Sequence, residues 1–143
     1  MDLKELNGRQ LLQAVASGEL PGPRMAETIP MQFIEIGEGE VMFHATADER
    51  HLNPLGGVHG GFSATVLDSV TGCAVHTMLE AGVGYGTVEL DVKMMRPVPV
   101  DTKLIARGKV LSLTRSLGFA EGALTDEAGK LFAHATATCM IIR

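Results

Sequence analysis

Apolar residues in the first stretch, Leu3, Leu6, Leu11, Leu12 and Val15, fall at mixed helical spacings and stop at Ser17-Gly18. That spacing predicts a short amphipathic helix over residues 3–16, and Pro21-Gly22-Pro23 then make a linker, so residues 1–29 form a lead-in. Two strand-like runs, 31–36 and 40–47, flank Gly37-Glu38-Gly39, and Val41, Phe43 and Ala45 alternate with Glu40, Met42 and His44, the pattern of a hairpin. Residues 48–57 are polar and punctuated by Pro and Gly, as in a loop. From 60 to 79 the pattern changes: there is no proline, and Asp68 is the only formal charge among Phe62, Val66, Leu67, Val70, Cys73, Ala74 and Val75. This run is long enough for a buried helix or a membrane span. Ser63, Thr65, Ser69, Thr71, His76 and the carboxylate make insertion costly, so the expectation is a helix enclosed by protein.

Past Gly82-Val83-Gly84, Val88, Leu90, Val92 and Met94 alternate with Glu89, Asp91 and Lys93, which predicts a half-buried strand with those four apolar residues inward. Pro97-Val98-Pro99 ends it. Leu104, Ala106, Gly108 and Val110 alternate with Lys103, Ile105, Arg107 and Lys109 in the next strand. Residues 117–125 read as a strand rich in small side chains, Asp126-Glu127-Ala128-Gly129 as a turn, and 131–142 as a last strand. Consecutive strands with short turns imply antiparallel pairing, and the sheet's apolar face needs the long helix as cover. The predicted class is α+β, one domain over residues 1–143.

Composition narrows the partners. The net charge of -5, with no Lys/Arg cluster longer than a pair, argues against nucleic acid and anionic membranes. With one Tyr, five Phe and no Trp, the chain is not built to stack on bases. The start Met1-Asp2-Leu3-Lys4-Glu5 lacks the basic and apolar runs of a signal peptide, and Cys73 and Cys139 lack redox or zinc spacing. A cytoplasmic protein with two reduced core thiols is the expectation. No cofactor is expected, and no His/Cys/Asp cluster has metal-ligand spacing. His44, His76 and His134 lie in apolar elements and read as satisfied core or interface histidines.

The stretch from His51 to Gly61 carries the candidate chemistry. Glycines at a helix start admit close approach to the backbone, and the first-turn N–H groups are unpaired donors at the positive end of the helix dipole. Gly60 there fits both a plain helix entry and a donor to an oxyanion. Asp68, on an apolar helix, fits either a structural carboxylate or a catalytic one. The two lie eight residues apart, about 12 Å along a helix, too far to touch one carbonyl carbon. They belong either to different sites or to one site completed by a second subunit.

Asn53, then His59-Gly60-Gly61, then Asp68 nine residues after the histidine, resembles the signature of phenylacetate-pathway (PaaI-like) hotdog thioesterases over residues 31–142. The resemblance implies a hotdog fold, an antiparallel sheet wrapped around one long helix, and hydrolysis of acyl-CoA. It implies Asp68 as nucleophile or general base, Gly60 as donor to the thioester oxygen, and Asn53 as positioner of substrate or water. His59 would support the loop and orient the carbonyl, and Thr87 matches the hydroxyl residue that completes the site. Asn53 and Gly60 of one chain would face Asp68 and Thr87 of another, in a homodimer or dimer of dimers. Gly61, Arg96, Arg115 and Ser116 are candidate substrate contacts, the arginines for CoA phosphates. Two other readings stay open: a hotdog hydratase or dehydratase of acyl thioesters, and a non-catalytic acyl-CoA binding protein. Which acyl group is taken, and whether Asp68 attacks directly, are not legible.

Overall fold

The computed structural model describes residues 2–143. A one-turn 3-10 helix, Leu3–Glu5, precedes helix α1, Gly8–Ala16. The expected single lead-in helix is therefore split. Asn7 splits it, because its side chain accepts from the Gln10 N–H while Gln10 reaches back to the Asn7 backbone, a reciprocal cap that starts a new helix. The linker then holds a single helical turn, α2, Met25–Thr28.

Strands β1 (Met31–Ile36) and β2 (Glu40–Ala45) form the hairpin, closed at Gly39, whose φ of +75° suits glycine. After the loop comes α3, Gly60–His76, followed by β3 (Gly84–Met94), β4 (Leu104–Leu113), β5 (Leu117–Thr125) and β6 (Leu131–Ile142). The six strands lie in the order β1-β2-β4-β5-β6-β3, every neighbouring pair antiparallel. Strands β3 and β4 are consecutive but do not pair: the chain around Pro97-Val98-Pro99 crosses over, and β3 docks on β6 at the edge. This sheet wraps α3, the hotdog arrangement.

The core lies between sheet and helix, where Val41, Phe43, Leu104, Ala106, Leu124 and Ala135 meet Phe62, Val66, Leu67 and Val70. The helix comes very close. Gly108 and Gly122 sit opposite each other on β4 and β5, and a methyl group on Gly108 would collide with the Val70 backbone carbonyl. Backbone cannot yield as a side chain does, so Gly108→Ala is expected to cost about 3 kcal/mol of stability, read as a lowered midpoint in chemical denaturation. A midpoint equal to wild type would mean that α3 is not pressed against this strand.

Enclosure of α3 is only partial. The sheet buries one side, but Asp68 is exposed and Ala64, Thr65 and Ser69 are half-buried, so the expectation of a fully enclosed helix fails within one chain. One curved sheet covers about one side of a cylinder. The histidine expectation is corrected too: His44 Nδ1 is buried with no hydrogen-bond partner among the described residues. His134 meets Glu121 at 3.5 Å, and His76 packs against Tyr85 with ring centroids 5.3 Å apart. Among the described residues, no helix is long and apolar enough to cross a membrane, and no group of residues could hold a metal ion. Both cysteines are free, Cys139 buried and Cys73 half-buried.

Candidate active site

The loop before α3 is held by His51. Its Nδ1 accepts from the Asp48 N–H at 2.9 Å, which leaves the proton on Nε2 to donate to the Thr28 carbonyl at 2.7 Å. The loop is thereby pinned to the linker. The His59 N–H donates to the His51 carbonyl at 2.8 Å, and Leu52 bridges Val58. Asn53 organises the turn between them: its Oδ1 accepts from the Leu55 N–H at 2.9 Å and the Gly57 N–H at 3.2 Å. Its amide NH2 has no hydrogen-bond partner among the described residues.

At the start of α3, His59 is the cap, with Nδ1 accepting from the Gly61 N–H at 2.7 Å. Phe62 N–H donates to the His59 carbonyl at 3.0 Å. Gly60 is left as the first-turn residue whose N–H has no partner among the described residues, at the positive end of the helix dipole. The N–H of Gly61, an expected substrate contact, is occupied by the cap. Above Gly60 lies Met94, whose Sδ would be 2.6 Å from any β-carbon placed there.

Asp68 lies two turns further along, on the free face of α3, and its carboxylate has no hydrogen bond or ion pair among the described residues. Its surroundings register the charge. Burial pushes the Cys73 thiol up to about 12, and the Asp68 carboxylate adds to the rise. Burial likewise raises the Tyr85 hydroxyl and the Cys139 thiol, again with Asp68 contributing. One turn beyond Asp68, Gly72 meets the Tyr85 ring, so the helix here lies against the beginning of β3.

Thr87 reaches this region through a bulge. Thr87 pairs with Cys139 and Glu89 with Thr138, so Val88 is an extra residue without a partner, and it is 59% exposed rather than inward as its alternation predicts. Without the bulge, Thr87 would face away from the helix. With it, Thr87 Oγ1 lies 3.8 Å from Cys139 Sγ on the helix side.

Each chain thus holds two separate groups of candidate residues: Asn53, His59, Gly60 and Met94 near the front of α3, and Asp68, Tyr85 and Thr87 further back. Within one chain they remain apart. The arginines separate in the same way. Arg96 lies two residues past Met94, with its N–H on the Phe132 carbonyl at 3.2 Å near the start of β6. Arg115 and Ser116 sit by the end of β6, where the Ser116 carbonyl accepts from the Ile141 N–H at 2.9 Å and the Arg115 carbonyl from Arg143 at 3.4 Å. Both arginine side chains are exposed without an acidic partner among the described residues.

Tyr85 and Met94 were missed by the sequence reading. Tyr85 had a signal, a glycine in the middle of a helix: a β-carbon on Gly72 would lie 2.8 Å from the Tyr85 hydroxyl, so Gly72 marks a close approach.

A six-stranded antiparallel sheet wrapped around one long helix defines the class as a hotdog-fold protein. The thioesterase superfamily profile matches residues 55–133, more than half of the chain, and the chain belongs to that superfamily. Human acyl-coenzyme A thioesterase 13 is 28% identical over 102 residues, 71% of this chain and 72% of the relative. A phenylacetic acid degradation-related protein from Ralstonia eutropha JMP134 superposes with a TM-score of 0.83 at 32% identity, covering 90% of this chain and 97% of that one. The PaaI protein of the E. coli phenylacetic acid degradation operon shares the fold, with a TM-score of 0.81 at 19% identity over 93% of each chain.

Proposed function

We propose that this thioesterase hydrolyses acyl-CoA to free acid and CoA, at sites that each combine Asn53, His59 and Gly60 of one copy with Asp68 and Thr87 of another. The observation that carries the reading is the pair of unsatisfied groups on α3, the Gly60 N–H and the Asp68 carboxylate, eight residues apart. In one chain they are about 12 Å apart along the axis, whereas a donor and a nucleophile for one carbonyl must both lie within about 3 Å of it.

The exposed edge of β3 supports the dimer. It carries unpaired backbone groups beside exposed Val88 and Met94, which antiparallel pairing with a second β3 would satisfy and cover. Such pairing would turn the Gly60 end of one copy toward the Asp68 end of the other. A dimer of dimers would repeat these sites, and Arg96 of one copy with Arg115 and Ser116 of the other would flank the CoA phosphates.

In the reaction the thioester oxygen accepts from Gly60, whose donor is fixed before negative charge develops. The Asp68 carboxylate then follows one of two routes. As nucleophile it forms a C–O bond, breaks the C–S bond, releases the CoA thiolate and leaves an anhydride for water to open. As general base it takes a proton from water, whose oxygen attacks the carbonyl carbon, and the thiolate leaves with that proton.

Complementation tests the shared site. Asp68→Asn and Gly60→Pro chains are each expected to be inactive, yet random reassociation of equal amounts should restore about a quarter of wild-type turnover, because half the dimers then hold one intact site. Mixtures no more active than their components would mean that the two groups do not meet across a subunit interface. Loss of enoyl absorbance from a crotonyl thioester without thiol release would favour the hydratase reading instead.

A further inference from the structure

From Ser69, the residue after Asp68, the open face of α3 borders a cleft of about 700 Å³ to which the proposed hydrolysis assigns no role. Its roof is the N-terminal lead-in, with Leu12 and Val15 of α1 and the linker prolines Pro21 and Pro23. Phe33 and Phe43 contribute to its walls, edge to face with centroids 4.8 Å apart. On the helix side it is lined by Ser69, Cys73 and His76, and Tyr85 also borders it. Burial keeps the Cys73 thiol protonated, so it behaves as a small apolar group.

We propose that this cleft receives the acyl chain of the substrate, a straight saturated chain of about eight to ten carbons; the assignment rests on Asp68 being the reacting carboxylate. Continuity is the first reason. Ser69, the residue after Asp68, lines the cleft, and Cys73 and His76 carry that lining along the helix, so a carbonyl carbon held at Asp68 has the cleft beside it for its alkyl substituent.

Length is the second. Ser69 and His76 are seven residues apart, about 10 Å of helix, and an extended chain advances about 1.2 Å per bond, so about eight methylenes fill the distance. Volume is the third: 700 Å³ is within the usual range for a small-ligand pocket and exceeds what an acetyl or propionyl group could use. The lining is mostly apolar, which suits an unsubstituted chain better than a charged one. The lead-in helix, outside the matched residues 55–133, thus sets the acyl specificity.

Thiol release from saturated acyl-CoA esters of two to sixteen carbons tests this. kcat/KM should rise about fourfold per methylene as the cleft fills, and level off near eight to ten carbons. In Val15→Trp and Ala16→Phe, which fill the cleft from its roof, the ratio of kcat/KM for decanoyl-CoA over butyryl-CoA should fall at least tenfold. Two variants are used so that misfolding of one does not decide the result. A ratio within twofold of wild type in both, or a wild type indifferent to chain length, overturns the cleft assignment while leaving Asp68-dependent hydrolysis standing. Hydrolysis of the whole series that persists in Asp68→Asn overturns the catalytic reading itself, and the cleft assignment with it.

Discussion

Asp68→Asn is expected to lower acyl-CoA hydrolysis about 10³-fold while leaving the chain folded, with melting unchanged to within about 0.5 kcal/mol. The two expectations have separate causes. Asparagine keeps the size of the side chain but can neither attack as an oxyanion nor take a proton from water, so either chemical route is lost. Stability is spared because the carboxylate is exposed and makes no hydrogen bond or ion pair among the described residues. Thiol release followed with a chromogenic thiol reagent measures the first, and thermal unfolding the second. Full turnover in a folded Asp68→Asn would take the carboxylate out of the mechanism. In the wild type, a single turnover in isotopically labelled water divides the two routes: label found in the protein marks the anhydride, and label confined to the acid product marks the general base.

Gly60→Pro should cost about 10²- to 10³-fold in kcat, the usual loss when one oxyanion donor is removed. Proline suits the first position of a helix, where its missing N–H breaks no helical bond. The preceding residue also permits it, since His59 at φ -64° and ψ 138° already has the extended conformation that proline requires before it. The substitution therefore removes the donor with little change in backbone. Gly60→Ala is the control: it keeps the N–H and requires only the flexible end of Met94 to move from its 2.6 Å approach. Activity that falls equally in both variants would point to steric exclusion by Met94 rather than to a lost hydrogen bond.

Several features of the site were legible in the residues because they depend on neighbours along the chain. The placing of Gly60 and Asp68 on one helix, and the arithmetic separating them, need only the helical rise. The cap at His59 follows from its position before the glycines, although its seat on the Gly61 N–H was not foreseen. Other features depended on contacts between distant segments. Asn53 Oδ1 is taken by its own turn, and Tyr85 reaches the helix through Gly72.

By itself the sequence determined the elements and their faces wherever side-chain period and turn residues agree: β1, β5 and β6 run between the expected ends, and Val41, Phe43 and Ala45 face inward. Those are local properties, set by a two-residue repeat and by Gly and Pro. Tertiary structure alone decided that β3 pairs with β6 and leaves an edge, and that a bulge turns Thr87 toward the helix and Val88 away. It also decided that Asp68 stands open, because strand order and register are chosen by how the whole sheet closes on α3, a balance of packing that no short segment contains.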